Sequence, residues 1–178
     1  MKLLQNILVP VDFNPSSIHA IKYAASISET FNSHLILLHI ISAEKLSSQS
    51  EVMLKETVRE KYDALRSEVG PDIAERMELV IERGVVFEQI IRTSIKRDVN
   101  VIIAGTGDHP EGRLSTMVEK LMRKNQVPLW LVKNHDMPPV KKILCPVDFS
   151  DASVRAMNNA ILLATKLNAV LTVMHVYT

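Results

Sequence analysis

The sequence contains a single cysteine and carries almost no net charge. Cys145, alone among 178 residues, excludes an internal disulfide framework and a zinc site built on cysteine thiolates. It lies in the apolar run Ile143-Leu144-Cys145, which predicts a buried thiol. Lysine and arginine number 21 against 20 aspartate and glutamate residues, without a clustered basic stretch. This balance excludes the basic footprint of a nucleic-acid-binding protein.

Long hydrophobic runs are also absent. The apolar residues that open the sequence are interrupted by Gln5, Asn6 and Pro10 before they reach the length of a signal peptide. The longest apolar run, residues 35–41, contains His39 and is far shorter than the roughly 20 residues that span a bilayer. We therefore expect a soluble, cytoplasmic protein without a membrane partner.

The sequence offers no recognisable catalytic constellation. It contains no Ser-His-Asp order, no carboxylate pair spaced around a water and no environment that would activate a cysteine. His39 recurs as His175 in a second apolar segment, without another histidine or carboxylate beside it at metal-ligand spacing. These observations favour a core histidine over a metal ligand, so we predict neither catalytic residues nor a metal site.

What the sequence does contain is an internal repeat. At a constant offset of 136 residues, residues 7–42 align with residues 143–178 without a gap, and twelve positions are identical. The longest shared stretch places Pro10-Val11-Asp12-Phe13 over Pro146-Val147-Asp148-Phe149. Identity at about a third of the aligned positions indicates a duplication.

The first copy alternates predicted strands and helices. Amphipathic segments predict four helices, and short apolar segments between them predict five strands, at residues 7–10, 35–41, 77–81, 101–104 and 129–132. Asn14 and Pro15 are typical of a helix N-cap and a first helical position. Gly70-Pro71 predicts the end of the second helix. This alternation predicts an α/β fold with an open, doubly wound parallel sheet of five strands.

The repeat divides the chain into two predicted domains. Residues 1–135 hold the complete first copy, residues 136–141 form a linker with two prolines, and residues 142–178 hold a partial second copy. The second copy supplies only a strand, a helix and a further strand. Such a βαβ segment cannot bury its own apolar faces, so we expect it to dock on the first domain, to pair with another chain or to belong to a longer parent.

Residues suited to a ligand follow several of the predicted strands. Open parallel sheets bind ligands beyond the carboxyl ends of their strands, where the strand order reverses. Asp12 follows the first strand, Ile40 lies near the end of the second, and Gly105 and Gly107 follow the fourth. Glycines let a backbone approach an anion closely, and the next helix offers free N–H groups at its start. The arrangement is typical of a nucleotide site.

Four segments taken together resemble the universal stress protein family. They are Pro10-Val11-Asp12, Leu37-Leu38-His39-Ile40, Ile103-Ala104-Gly105-Thr106 and Val127-Pro128-Leu129-Trp130-Leu131-Val132-Lys133. The resemblance covers the whole first copy, and the second copy resembles a truncated second domain of a tandem member. The resemblance implies a strand order of 3-2-1-4-5 and a bound adenine nucleotide, ATP with Mg²⁺.

The resemblance also implies which residues hold the nucleotide. Val11, Asp12 and the backbone of Ile40 match the family's adenine contacts, and Gly105 matches the first glycine of its phosphate loop, Gly-x2-Gly-x9-Gly-Ser/Thr. Asp108 stands at the second glycine of that pattern, and Ser115-Thr116 match its closing pair. The implied cofactor-binding residues are Pro10, Val11, Asp12, Ile40, Ala104, Gly105, Thr106, Gly107, Arg113, Ser115 and Thr116.

Several of these residues have an alternative interpretation that needs no ligand. Asp12 can contact the nucleotide, or it can hydrogen-bond the start of the following helix. Gly105 and Gly107 can cradle phosphate, or they can form a tight turn. Thr116 with Glu119 three positions later matches a capping box, which satisfies helix N–H groups from within the chain. The residues favour this last interpretation over a phosphate contact.

Two functions are compatible with the sequence. The first is a stress-response regulator that binds an adenine nucleotide, with slow hydrolysis of ATP at most. The second is a family member that binds no nucleotide and acts through protein–protein association, which Asp108 favours. In the family the fifth strand mediates dimers, so the resemblance implies a homodimer through residues 129–133, an apolar predicted sheet edge.

Overall fold

The structure, a computed structural model, describes residues 4–42, 47–107, 114–133 and 139–177. These residues fall into two units, one formed by residues 4–133 and the other by residues 139–177. The first unit corresponds to the first copy of the repeat and the second unit to the second copy.

A five-stranded parallel sheet forms the centre of the first unit. Its strands are β1 (Asn6–Val11), β2 (His34–Ile41), β3 (Met77–Arg83), β4 (Val101–Gly105) and β5 (Leu129–Val132). They pair in the order β3-β2-β1-β4-β5. The predicted α/β class and the strand order are therefore confirmed.

Five helices connect these strands. They are α1 (Pro15–Phe31), α2 (Ser48–Glu68), α3 (Pro71–Glu75), α4 (Val86–Lys96) and α5 (Thr116–Lys124). Gly70-Pro71 separates two helices: α2 ends at Glu68, and Pro71 begins the short helix α3 that the sequence pattern did not predict. Proline suits that position because a first helical residue needs no intrahelical N–H bond. No helix within the described residues is long and apolar enough to cross a membrane.

Helix α1 begins and ends as its sequence predicts. The Asn14 side chain accepts a hydrogen bond from the Ser17 N–H at 2.8 Å, and Pro15 occupies the first helical position. Asn32 closes the helix in the left-handed region, with φ of 53°. Because Asn14 lies three residues after β1 ends, this cap fixes the start of α1 next to the carboxyl end of the central strand.

The core of the first unit lies on both faces of the sheet. On one face Leu8, Ile36 and Ile102 form a buried cluster with Ile90 of α4 and Leu121 of α5. Continuous burial of β1, with Ile7, Leu8 and Val9 each at 0% exposure, is what a parallel sheet covered on both sides requires. The central strands are thereby held rigidly, and their carboxyl ends form a fixed edge.

The second unit is a single strand–helix–strand segment. Strands β6 (Lys142–Pro146) and β7 (Val170–Met174) pair in parallel and are joined by helix α6 (Asp151–Leu167). Cys145 is 5% exposed, which confirms the predicted buried thiol. Leu144 is 60% exposed, whereas Leu8, its equivalent in the first unit, is fully buried. Within residues 139–177 no helix covers the apolar face that α4 and α5 cover in the first unit.

The duplication extends to unusual backbone angles. Phe13 has φ of 62° and its equivalent Phe149 has φ of 64°, while Asn32 and Asn168 have φ of 53° and 51°. Bulky side chains rarely adopt positive φ, so two unrelated segments would not share it at the same position. The two copies therefore share a local geometry as well as a sequence.

Candidate functional site

A cleft of about 470 Å³ opens at the carboxyl edge of the five-stranded sheet. The ends of β1 and β4, the first turn of α1 and the start of α5 form its walls. Strand order reverses between β1 and β4, because β2 and β3 lie on one side and β5 on the other. Open α/β sheets bind ligands at such a reversal. The residues that line the cleft are Pro10, Val11, Asp12, Asn14, Ser16, Ser17, Leu38, Ile40, Val86, Ala104, Gly105, Gly107, Ser115 and Met117.

The structure brings most of the predicted site residues to this cleft. Pro10, Val11, Asp12, Ile40, Ala104, Gly105, Gly107 and Ser115 all line it. Thr106 does not, and its N–H instead donates to the Val132 carbonyl of β5 at 3.0 Å. Thr116 is the exposed first residue of α5 and does not line the cleft either. Arg113 and Asp108 lie outside the described residues.

Sequence reasoning missed the contribution of helix starts to the cleft. Asn14, Ser16 and Ser17 come from the N-cap and first turn of α1, Val86 from the first residue of α4 and Met117 from the first turn of α5. One signal was available for α1. The Asn14-Pro15 pair predicts a helix beginning directly beyond β1, so its first turn had to lie at the ligand-binding edge.

The Asp12 carboxylate is engaged by the start of helix α1. Its Oδ1 accepts a hydrogen bond from the Asn14 N–H at 3.1 Å, and its Oδ2 accepts one from Asn14 Nδ2 at 2.9 Å. Asn14 in turn caps α1 through Ser17. Of the two predicted roles, the structure shows the one at the helix start. The exposed carboxylate still lines the cleft, so any ligand bound there lies near its negative charge.

The second unit repeats this arrangement. Asp148 Oδ1 accepts hydrogen bonds from the Ser150 N–H at 3.0 Å and from the Ser150 hydroxyl at 2.6 Å. Hydrogen bonds lower the pKa of Asp148 to about 2. The hydroxyl of Ser150 has the largest effect, followed by the Ser150 N–H and then by the hydroxyl of Ser153. Hydrogen bonds to a carboxylate favour its charged form, which explains the direction. In both copies, therefore, an aspartate carboxylate accepts hydrogen bonds from the N-cap residue of the next helix.

Gly105, the last residue of β4, and Gly107 both contact helix α1. Gly107 has φ of 87°, a region that glycine adopts readily, and its N–H donates to Ser16 Oγ at 3.0 Å. A Cβ atom added to Gly105 would lie 2.6 Å from the Ser16 carbonyl oxygen. Both glycines line the cleft, and the first turn of α1 is the segment that they approach.

Helix α5 is capped one residue earlier than its sequence predicts. Ser115 is the N-cap, and its hydroxyl accepts a hydrogen bond from the Val118 N–H at 3.3 Å. The predicted capping box of Thr116 and Glu119 is therefore wrong. Thr116 is the first helical residue, and Val118 occupies the position from which a glutamate side chain would return the bond. Ser115 itself lines the cleft, so this cap orients a polar residue of the site.

His39 is hydrogen-bonded, as predicted, but it is half-buried at the end of the sheet and not part of the core. Its Nδ1 lies 2.8 Å from the Val11 carbonyl oxygen, and its ring lies 5.6 Å from the Phe13 ring. Lys61 of α2 lies over the same Phe13 ring at 5.4 Å. Among the described residues, no group of three or more histidine, cysteine, aspartate or glutamate side chains is placed to hold a metal ion.

The fold is shared with known structures. The chain is similar in structure to a universal stress protein from Archaeoglobus fulgidus, with a TM-score of 0.76 and 23% identity over 97% of this chain and 67% of that chain. It is similar to a putative universal stress protein from Pseudomonas aeruginosa, with a TM-score of 0.64 and 22% identity over 96% of this chain and 60% of that one.

A third similar structure is a universal stress protein in complex with cAMP. Its TM-score is 0.58 and its identity 17%, over 74% of this chain and 98% of that chain. At these levels of identity the structures show a shared fold. A comparison with curated protein sequences found no match.

The family model gives the assignment. The model described as "Universal stress protein family" matches residues 4–133 and again residues 139–178. The two matches follow the two copies of the repeat and together cover most of the sequence. The chain therefore belongs to the universal stress protein family.

Proposed function

We propose that this chain is a cytoplasmic stress-response regulator that binds an adenine nucleotide, ATP, in the cleft between β1 and β4. The observation that carries the proposal is the place of the cleft, which lies at the strand-order reversal of an open parallel sheet. Its volume of about 470 Å³ falls within the range of about 300–1,000 Å³ that is usual for small-molecule sites.

The lining suits a ligand with an apolar part and an anionic part. Leu38, Ile40, Val86 and Met117 offer the apolar surface on which a nucleobase can pack. The hydroxyls of Ser16 and Ser115 offer polar groups, and the first turns of α1 and α5 offer the positive ends of helix dipoles. A nucleotide combines these two kinds of surface in one molecule.

The complex of a similar protein with cAMP also supports an adenine nucleotide. Because the described residues offer no cluster of metal ligands, Mg²⁺ would reach the site bound to the phosphates of ATP. No described side chain of the cleft is paired with a base that could activate an attacking water. The proposed role is therefore binding and regulation, with hydrolysis slow at most.

A calorimetric titration with ATP and Mg²⁺ tests this proposal, with two neighbouring valines as a matched pair. Val86 is 42% exposed and lines the cleft, whereas Val85 is 48% exposed and does not line it. We expect Val86→Trp to abolish ATP binding by filling the cleft and Val85→Trp to leave it unchanged. A wild-type chain that gives no heat with millimolar ATP, or equal binding by both variants, would overturn the proposal.

Association through β5 is a second candidate function, and the structure of that strand favours it. Among the described strands β5 pairs only with β4, so its other side is a sheet edge. Leu129, Trp130 and Leu131 are all half-buried along it. An apolar edge strand readily pairs with another chain. The candidate is a homodimer through residues 129–133, independent of any nucleotide.

Light scattering across a range of concentrations tests this association. Leu131→Lys places a charge on the edge strand and is expected to produce a monomer. Val52→Lys places the same charge on α2, at a residue that is 55% exposed, and is expected to leave the dimer intact. A wild-type chain that is monomeric at all concentrations would rule out the dimer.

The domain organisation is part of the same proposal. Residues 1–135 act as the nucleotide-binding domain, residues 136–141 as a linker and residues 142–178 as a partial second repeat of tandem type. The second match of the family model and the shared backbone angles of Phe13 and Phe149 support the repeat. Expression of residues 1–135 alone tests this division, since an independent domain would keep the ATP affinity of the full chain.

A further inference from the structure

Ser16 is the most deeply buried polar residue of the cleft. It is the second residue of α1, lines the cleft and is 2% exposed. A hydroxyl group carries one proton to donate and two lone pairs that accept. Buried hydroxyl groups are almost always hydrogen-bonded, so the partners of Ser16 show what the residue can still bind.

The Ser16 hydroxyl is satisfied as an acceptor only. Its Oγ accepts the N–H of Gly107 at 3.0 Å. No described residue accepts its proton. The geometry therefore leaves one hydrogen-bond donor at the wall of the cleft.

Neighbouring Ser17 provides the contrast. It also lines the cleft and is 7% exposed, but its hydroxyl donates to the Asn14 carbonyl oxygen at 3.1 Å. Its N–H is likewise taken, by the Asn14 side chain at 2.8 Å. Ser17 is thus engaged by the helix cap, whereas the Ser16 hydroxyl has no acceptor among the residues that the structure describes.

Gly105 and Gly107, at the end of β4 and just beyond it, hold Ser16 in place. The contact of Gly105 with the Ser16 carbonyl oxygen leaves no room for a side chain at position 105. The positive φ of Gly107 turns its N–H onto Ser16 Oγ. A hydroxyl that accepts one hydrogen bond becomes a better donor for the next, because the bonds polarise one another. In the sequence, Gly105 and Gly107 resemble part of a phosphate-binding loop. In the structure, the same two glycines orient Ser16.

We infer that Ser16 binds the phosphate of the nucleotide, donating its hydroxyl proton to a phosphate oxygen while the Gly107 N–H fixes the orientation of the hydroxyl. This inference rests on the proposed function and narrows it. The site distinguishes phosphorylated nucleotides from the free nucleoside through a residue of helix α1. The second position of α1 adds the positive end of the helix dipole, which favours an anion.

Calorimetric titrations of the full chain with ATP and with adenosine test the inference. In Ser16→Ala we expect ATP affinity to fall about tenfold, the effect of losing one hydrogen bond to a charged group, and adenosine affinity to stay unchanged. Ser28→Ala is the matched control, at a buried serine of the same helix that does not line the cleft, and it is expected to keep the wild-type ratio of the two affinities. A partial loss of folded protein lowers the heat of both titrations by the same factor. The ratio of the ATP affinity to the adenosine affinity therefore reports on the phosphate contact.

The outcomes separate the inference from the proposed function. A wild-type chain that binds neither ligand overturns the proposed function and the inference with it. A wild-type chain that binds ATP, together with a Ser16→Ala variant that keeps the wild-type ratio, overturns the inference alone. An equal loss in Ser16→Ala and Ser28→Ala also overturns it, because the effect would then come from helix α1 as a whole.

Discussion

The Nδ1 atom of His39 lies 2.8 Å from the carbonyl oxygen of Val11, and the same bond recurs between His175 and Val147 at 2.7 Å. Each bond joins the ends of two parallel neighbouring strands. Because the carbonyl accepts, Nδ1 carries the proton in both copies. The bond fixes the end of β1 beside the cleft, where the Val11 backbone turns toward Asp12.

Replacement of His39 tests how much this bond stabilises the strand end. His39→Phe keeps a ring against Phe13 but leaves the Val11 carbonyl without its donor, so the free energy of unfolding is expected to fall by about 1–2 kcal/mol. Urea unfolding measures the change. The control is His34→Gln, on the same strand, where only a surface contact of 3.8 Å to Glu78 is lost and the effect is expected to stay within about 0.5 kcal/mol.

Substitution of Gly105 tests the contact between β4 and α1. Gly105→Ala pushes a methyl group against the Ser16 backbone, and the strain is expected to lower the free energy of unfolding by about 1–3 kcal/mol. Gly70→Ala is the control, since nothing lies within 4 Å of the added atom, and its cost is expected to be below about 1 kcal/mol. Equal thermal stability of the two variants would contradict the packing described for Gly105.

The corrected cap of helix α5 makes a third prediction. Ser115→Ala removes the hydroxyl that accepts the Val118 N–H and is expected to cost about 0.5–2 kcal/mol. Thr116→Ala, at an exposed first helical position, is expected to cost less than about 0.5 kcal/mol. The free energies of unfolding of the two variants, measured with denaturant, show whether Ser115 or Thr116 caps the helix. A larger loss in Thr116→Ala would restore the capping box predicted from the sequence.

A pH titration tests the aspartate–helix motif in the second unit. The folded pKa of Asp148 is about 2, below its ordinary 3.8, so its stabilising contribution is present above pH 3.8 and is lost as the pH falls through 2. We expect Ser150→Ala to raise the pKa of Asp148 toward 3.8 and Ser153→Ala to raise it less. The carboxyl carbon shift of Asp148 in NMR spectra follows the titration. A pKa that stays near 2 in Ser150→Ala would contradict the assigned cause.

The sequence predicted the fold well because its signals are local. Strand–helix alternation, the Asn14-Pro15 helix start and the β5 segment each depend on residues close together in the chain. Helix α3 was missed because a five-residue helix is shorter than the window in which periodicity can be detected. The cap of α5 was misplaced by one residue because Ser115 and Thr116 both have the residue type of an N-cap.

The site was predicted less completely, and the reason is again physical. The Gly107–Ser16 bond joins residues that are 91 positions apart, so no local pattern could indicate it. Sequence reasoning left the glycines open between a phosphate cradle and a tight turn, because glycine is required wherever a backbone is closely approached. In the structure the approaching group is Ser16 of α1. Val86 and Met117 were missed because apolar residues at helix starts are indistinguishable from core residues in a sequence.

A crystal structure of the full chain grown with ATP and Mg²⁺ tests the central claim most directly. The account predicts nucleotide density in the cleft between β1 and β4, with a phosphate oxygen within hydrogen-bond distance of Ser16 Oγ. Nucleotide density elsewhere on the chain, or a cleft without nucleotide at a concentration of ATP that saturates the calorimetric titration, would contradict it.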